Sequence, residues 1–161
     1  PHNYESQLFD FLNTKYVLSL DEISSPKLIK VFEEGQTKVY QNTNAFERAY
    51  FVGKVTNIKN VISSLFSEDL KMTAIISENN TSDFGNLSIG DVKILNYTEN
   101  AVSLETNNKG NGFMVMSDAY YPTWKVFIDG KESRIYKTNH AFRGVYIPKG
   151  NHIIIFKNYI L

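Results

Sequence analysis

The stretch Phe113–Phe156 constrains the fold of this chain more than any other part of the sequence. It consists of short apolar or alternating segments separated by strong turn signals, among them Asp129-Gly130 and Pro148-Lys149-Gly150. Asp-Gly tolerates the positive φ angles of a type I′ hairpin turn, and proline cannot donate a hydrogen bond to a strand ladder. This spacing predicts antiparallel strands joined by tight turns.

Five strands are predicted within this stretch. They are Phe113–Ser117, Trp124–Asp129, Glu132–Lys137, Phe142–Ile147 and His152–Phe156. The first is apolar on both faces, which indicates a central strand that is covered on each side. In the second, Trp124 alternates with Lys125 and shares a face with Val126, so we expect the indole to pack in the core.

The rest of the chain adds strands and two helices. Further strands are predicted at Lys15–Leu20, Leu28–Phe32, Lys38–Gln41, Ala49–Val55, Met72–Ser77, Asp91–Tyr97 and Ala101–Thr106. One short helix is predicted within residues 5–13. A longer one is predicted from the N-cap Asn57 to about Glu68, with an apolar stripe from Ile58 to Phe66 that should pack against a sheet. Many short strands without βαβ alternation predict a mainly β fold: an antiparallel β-sandwich, jelly-roll or Ig-like, with one or two short packed helices.

Composition limits the classes of function. The 161 residues are 42% hydrophobic, which is enough for one self-supporting core. We therefore predict a single β-sandwich domain over residues 1–161, with a helix-containing part at about 1–70 and a β-rich core at about 72–159. Basic and acidic residues balance at 17 each, so no basic surplus indicates a nucleic-acid partner. The chain has no cysteine, its histidines lack metal-ligand spacing and its carboxylates are scattered, so neither a metal nor a cofactor is predicted.

The turn over residues 118–123 is the first place to look for a ligand contact. Pro122 cannot donate to a ladder and biases Tyr121 toward an extended conformation. Tyr120 and Tyr121 lie in this turn and are candidates for an exposed aromatic pair. Trp124 is the alternative sugar-stacking residue, although its alternation places it in the core.

Arg143 is the second candidate for a ligand contact. We expect it to pair with a carboxylate such as Asp118 or Asp129 and so hold two turns together; alternatively it binds an anion such as a lipid phosphate. Asp129 is assigned to turn chemistry. His152, which follows the turn glycine Gly150, is expected to bond to the backbone there. No nucleophile, base or metal constellation is present, so no catalytic residue is predicted.

Several motifs of this stretch occur together in one order. They are Tyr-Pro-x-Trp-Lys from Tyr121, Asp-Gly-Lys from Asp129, Asn139, Phe-Arg-Gly-Val from Phe142 and Pro-x-Gly-x-His from Pro148. This ordered set resembles the C-terminal soluble region of the bacterial YfhO-like integral membrane proteins. Segments upstream, at Leu12–Leu18, Tyr40–Asn42 and Arg48–Tyr50, resemble the same family, whereas Thr123 stands where the family usually has glycine. Within the motifs, the residues expected to be mainly structural are Tyr121, Pro122, Trp124, Asp129, Gly130, Asn139, Arg143, Gly150 and His152.

The resemblance also implies a function. The parent protein would be a polytopic membrane glycosyltransferase that takes sugar from a polyprenyl-phosphate donor and decorates cell-envelope polymers such as teichoic acids. This chain would be its non-catalytic extracytoplasmic domain, attached to the bacterial cytoplasmic membrane through the membrane-embedded remainder of the same chain. It would contact an envelope polysaccharide or a lipid-linked sugar. A start at Pro1 without methionine fits a fragment of a longer protein.

Two other functions stay open at this stage. The β-sandwich pattern and the many tyrosines also fit an independent carbohydrate-binding or adhesin-like module. A free-standing enzyme is the third alternative and has no motif in its favour.

Overall fold

The computed structural model describes residues 4–76 and 84–159, which form mainly β structure with two short helices. The elements, in chain order, are α1 Gln7–Phe11, β1 Tyr16–Ser19, β2 Leu28–Glu34, β3 Thr37–Asn42, β4 Ala49–Val52, β5 Lys54–Asn57, α2 Val61–Ser64, β6 Thr73–Ile76, β7 Asp91–Tyr97, β8 Ala101–Asn108, β9 Gly112–Ala119, β10 Trp124–Ile128, β11 Lys131–Ser133, β12 Tyr136–Thr138, β13 Phe142–Ile147 and β14 Gly150–Asn158. The predicted mainly β class is confirmed.

The chain divides into two compact units, Pro1–Glu47 and Arg48–Leu161. This division falls earlier in the chain than the boundary near residue 70 that the sequence suggested. The prediction of one extracytoplasmic domain over the whole chain stays a prediction.

The first unit is a three-stranded antiparallel sheet with the order β1-β3-β2, accompanied by α1. The sequence Glu34-Gly35-Gln36 predicts a tight hairpin turn between β2 and β3. Gly35 lies in this turn with a φ of 58°, so the predicted hairpin is confirmed. Helix α1 begins after Ser6, whose hydroxyl accepts a hydrogen bond from the Leu8 N–H at 3.3 Å. This is the usual N-cap arrangement.

A buried polar cluster ties α1 to this sheet. The Lys27 ammonium lies 2.9 Å from Asp10 Oδ2, and the two side chains are only 6% and 10% exposed. Asn42 donates to Asp10 Oδ1 at 2.8 Å, and Lys27 also donates to the Ser6 carbonyl at 3.2 Å. Each polar group of the cluster therefore has a partner, as burial requires.

The second unit contains two sheets that enclose a common core. The six-stranded sheet has the order β4-β9-β13-β12-β6-β5, and the five-stranded sheet has the order β11-β10-β14-β8-β7. The core residues come from both sheets: Ala49, Phe51, Met114, Met116, Val145 and Ile147 from the first, and Val102, Leu104, Val126, Ile154 and Phe156 from the second. A core shared by two sheet faces is the arrangement of a sandwich, which confirms that prediction.

Two predicted strands are in fact divided. Ala49–Val55 was expected to be one strand, but Gly53 separates β4 from β5, and these lie at opposite edges of the six-stranded sheet. Because neighbouring Cα atoms are about 3.8 Å apart, the two edges must approach each other at Gly53 and the sheet must curl. Glu132–Lys137 was also expected to be one strand, but β11 belongs to the five-stranded sheet and β12 to the six-stranded one. The alternation of side chains continues from β11 into β12, so the sequence pattern does not reveal that the chain changes sheets there.

The structure contains one βαβ unit, although its strands show no repeated βαβ alternation. Strands β5 and β6 pair in parallel, and α2 lies between them in sequence. The predicted N-cap Asn57 is the last residue of β5, and the actual cap is Asn60, whose side chain accepts from the Ser63 N–H at 3.3 Å. Ser77 of the predicted strand Met72–Ser77 lies outside the described residues.

The apolar stripe predicted for this helix is only partly buried. Ile62 and Phe66 are 56% and 66% exposed, and α2 spans only four residues. Val61 and Ile62 are β-branched and lose side-chain freedom in a helix. The apolar residues therefore have the spacing of a helix face, but the intrinsic helix propensity of the segment is too low for a helix of three turns.

Candidate ligand-binding cleft

A β-bulge at the end of β9 positions the first residues of the cleft. Phe142 of β13 pairs with Ala119 of β9, whereas Arg143 pairs with Met116. Ser117 and Asp118 are thus additional residues on β9. A bulge bends its strand and changes the direction of the side chains it carries, and bulges often lie next to functional sites.

Asp118 is held by an arginine and a tyrosine from two other strand ends. Arg48 Nη1 lies 2.7 Å from Asp118 Oδ1, and the Tyr97 hydroxyl is 3.0 Å from each carboxylate oxygen. The Asp118 side chain is 10% exposed, while that of Arg48 is 41% exposed. The guanidinium of Arg48 also lies over the Tyr97 ring, 5.2 Å from its centroid. The carboxylate is therefore already occupied by partners other than Arg143.

Arg143 is buried at the start of β13, and its guanidinium is fixed by two contacts. Nε donates to the Ala119 carbonyl at 2.9 Å, and Cζ lies 3.7 Å from the centroid of the Trp124 ring. Nη1 is 4.0 Å from Asp118 Oδ2, too far for a hydrogen bond. Within residues 4–76 and 84–159, this buried Nη1 has no hydrogen-bond partner.

These residues line a cleft of about 530 Å³, within the range of small-ligand sites. The polar lining consists of Tyr97, Thr98, Glu99, Asp118 and Arg143, and the apolar lining of Val102, Ala119 and Trp124. Strands of both sheets contribute, so the cleft opens where the two sheets of the second unit meet.

Burial and charge shift two pKa values in the cleft. Burial, together with the negative charge of Asp118, raises the pKa of Tyr97 above its ordinary value, so this hydroxyl stays protonated and can donate. Burial lowers the pKa of Arg143, while Asp118 opposes that shift. A guanidinium nevertheless keeps its proton in a protein, so the cleft contains a permanent positive charge with a free donor.

The two candidate tyrosines differ in exposure. Tyr121 is 65% exposed, whereas Tyr120 is half-buried. The Tyr121 carbonyl accepts from the Trp124 N–H at 3.1 Å, which closes a four-residue turn with Pro122 in its second position. Neither tyrosine lines the cleft, so any stacking on Tyr121 would take place outside it.

Asp129 and His152 join two turns away from the cleft. Asp129 and Gly130 have φ angles of 49° and 81° and connect β10 to β11, as a type I′ turn requires. His152 Nδ1 lies 2.6 Å from Asp129 Oδ2, and Nε2 is 3.3 Å from the Lys149 carbonyl. The hydrogen bond that His152 donates to Asp129 raises the pKa of His152 and lowers the pKa of Asp129. Of the two carboxylates considered for Arg143, Asp118 is the nearer, and Asp129 pairs with His152.

Asn139 extends the six-stranded sheet beyond the end of β12. Its backbone N–H donates to the Ile75 carbonyl at 2.7 Å, and its Oδ1 accepts from the Ile75 N–H at 2.7 Å. The residue is 1% exposed and has a φ of 50°. Asparagine adopts this left-handed conformation more readily than most other residues.

Residues 4–76 and 84–159 contain no cluster of three or more histidine or acidic side chains that could hold a metal ion. Nor does any helix in these ranges have the length and apolar character needed to cross a bilayer.

Comparison with protein families gives a match over the segment that contains the cleft. The family described as the bacterial membrane protein YfhO matches residues 84–160. This segment is therefore similar to the YfhO family. No curated protein and no solved structure matches the chain.

The YfhO segment contains every residue that lines the cleft, from Tyr97 to Arg143. Arg48, which holds Asp118, lies outside it, as do the resemblances noted upstream of residue 84. Sequence reasoning selected Arg143 and the turn that begins at Asp118, and the structure brings them together. It missed Arg48, Tyr97 and Glu99, because no local pattern indicates that the ends of β4 and β7 lie beside this turn.

Proposed function

We propose that this chain is a non-catalytic extracytoplasmic domain of a bacterial membrane glycosyltransferase that transfers sugar from a polyprenyl-phosphate donor to cell-envelope polymers. The observation that carries the proposal is the match of residues 84–160 to a family of bacterial membrane proteins, over the segment that forms the cleft. Its partners are the membrane-embedded remainder of the same protein and an envelope polysaccharide or lipid-linked sugar.

The chemistry of the cleft supports a binding role. Asp118 accepts hydrogen bonds from Arg48 and Tyr97 and lies near a second guanidinium, as a carboxylate that positions other groups would. We therefore assign sugar transfer to residues outside this chain.

Deletion of the gene tests this function. Cell-envelope polymers purified from the deletion strain should lack a sugar substituent that is present in the parent strain, and the wild-type gene should restore it. The purified 161-residue chain should release no sugar from a polyprenyl-phosphate donor. An unchanged sugar content in the deletion strain would argue against the proposal.

The exposed side chain of Tyr121 favours a second candidate, an independent carbohydrate-binding module. A ring that is 65% exposed beside a turn offers a face to a sugar. In this case the purified chain should bind envelope polysaccharide tightly, and Tyr121→Ala should abolish binding. Tyr120→Ala is the matched control, since Tyr120 is half-buried. Weak binding that neither variant changes would favour the first function.

A further inference from the structure

The most informative feature of the cleft is the unpaired donor of Arg143. Its side chain is 5% exposed, and Nη1 has no acceptor among the described residues. A buried charged donor without an acceptor is unfavourable, and native structures rarely contain one without a ligand, ion or water in place. The acceptor for this atom therefore has to come from outside the described residues.

The carboxylate of Asp118 does not supply that acceptor. Its oxygens are bound by Arg48 Nη1 at 2.7 Å and by the Tyr97 hydroxyl at 3.0 Å, and the nearer Arg143 nitrogen stays 4.0 Å away. The bond from Nε to the Ala119 carbonyl and the stacking on Trp124 prevent Arg143 from turning toward it. The guanidinium of Arg143 is thus held in one orientation before a ligand binds.

We propose that this cleft binds a phosphate ester, with Arg143 Nη1 donating to a phosphate oxygen. Phosphate has several strong acceptor oxygens, so a phosphate group in this cleft can supply the acceptor that Arg143 Nη1 lacks. The volume of about 530 Å³ exceeds that of an isolated anion and leaves room for a glycerol or sugar substituent. Because Arg143 covers a face of Trp124, charge and hydrogen bonding rather than stacking on that face would recognise the ligand.

Two carboxylates line the cleft and oppose an anion: Asp118, which is paired with Arg48, and Glu99. Glu99 lies in the exposed turn between β7 and β8 and lines the cleft. Removing its charge should strengthen binding, whereas removing an equal charge elsewhere should not. Glu105, an exposed residue of β8 that lines a different depression, is the matched control.

Trp124 is the only tryptophan of the chain and contacts Arg143, so its fluorescence reports on the cleft. The purified chain is titrated at constant ionic strength with glycerol 3-phosphate, and with vesicles of phosphatidylglycerol or of phosphatidylcholine. We expect a saturable change with glycerol 3-phosphate. Glu99→Gln should tighten binding about threefold, and Glu105→Gln should leave it unchanged. Arg143→Lys, which keeps the charge but loses the planar guanidinium, should weaken binding about tenfold.

The probes also distinguish the source of the phosphate. A response to glycerol 3-phosphate supports an ester of a soluble polymer, and a response confined to phosphatidylglycerol vesicles supports a lipid headgroup. The absence of a saturable response to either probe, in both the wild type and Glu99→Gln, would overturn the inference even if Arg143→Lys fails to fold. Equal effects of Glu99→Gln and Glu105→Gln would also overturn it.

This inference deepens the proposed function and depends on it only for the origin of the ester. Failure of the binding experiment would remove the phosphate site and leave the envelope-sugar experiment unaffected. An unchanged envelope in the deletion strain would remove the glycosyltransferase assignment, and phosphate binding by the purified chain would still stand.

Discussion

At the scale of single residues, the two units use charged side chains in opposite ways. Lys27 in the first unit is buried with Asp10, and its ammonium has two acceptors, the Asp10 carboxylate and the Ser6 carbonyl. Arg143 in the second unit is buried with its Nη1 unpaired. The first arrangement is that of a structural ion pair, and the second leaves a charged donor for the phosphate ester that we propose.

Lys27→Met should lower the free energy of unfolding of the first unit by about 3–5 kcal/mol, because it leaves the Asp10 carboxylate buried without its counter-ion. Lys30→Met is the control within the same unit, since Lys30 pairs with Glu22 and Glu33 in solvent. Urea unfolding followed by circular dichroism measures both variants. Equal losses in the two would show that burial of Lys27 has no special energetic role.

The pair of His152 and Asp129 should make stability depend on pH. The pKa of His152 is raised from 6.5, so its contribution is complete below pH 6.5 and is lost as the pH rises through the higher folded value. The pKa of Asp129 is lowered from 3.8, so its contribution is complete above pH 3.8 and is lost as the pH falls through the lower folded value. The hairpin should therefore be most stable between these limits.

Asp129→Asn tests this coupling while keeping an oxygen for the Ile153 N–H and a residue suited to the turn. In an NMR titration, the midpoint of His152 should be lower in the variant than in the wild type. The fall in melting temperature of the wild type above pH 6.5 should be smaller in the variant. An identical His152 midpoint in both proteins would contradict the coupling.

At the scale of elements, the breaks in the strands decide where the side chains of the cleft meet. The bulge at Ser117 and Asp118 brings the Asp118 carboxylate to Arg48, and the Ser117 N–H donates to the Arg48 carbonyl at 2.8 Å. Asn139 joins the end of β12 to β6 through two hydrogen bonds. Both features depend on one or two residues at a strand end.

Asn139→Gly and Asn139→Ala separate the two roles of this residue. Both variants leave the buried Ile75 N–H without its side-chain acceptor, which should cost about 1–3 kcal/mol. Alanine also has to adopt a φ of 50°, so Asn139→Ala should be less stable than Asn139→Gly by a further ~1 kcal/mol. Urea unfolding followed by Trp124 fluorescence measures the difference, and equal stability would show that the backbone relaxes at this site.

At the scale of the whole molecule, the shared core lies entirely within residues 48–161. We therefore expect residues 48–161, expressed alone, to unfold cooperatively in urea and to keep the Trp124 emission of the full chain. A segment of the size of residues 1–47 buries a smaller fraction of its surface and should be only marginally stable alone. A non-cooperative transition of residues 48–161 would instead indicate one domain over the whole chain.

The sequence by itself determined the fold class and the turns. Asp129-Gly130 and Gly35 adopt the positive φ angles expected of them, because a tight turn depends on a few adjacent residues. The apolar segment at Phe113–Ser117 became a central strand, because burial on both faces is visible in its composition. The motif order also indicated the YfhO family, since it is a property of the chain and not of its folding.

Only the tertiary structure decided which segments meet. Arg48 and Asp118 are 70 positions apart, and Arg48 and Tyr97 are 49 apart, so their contacts depend on strand pairing across the sheets. Local alternation likewise does not predict three features of the sheets. They are the division at Gly53, the change of sheet between β11 and β12, and the parallel pairing of β5 with β6. Pairing between distant segments depends on the free energy of the whole core. The sequence could therefore indicate Arg143 as a candidate ligand contact, but it could not show that its Nη1 has no acceptor among the described residues.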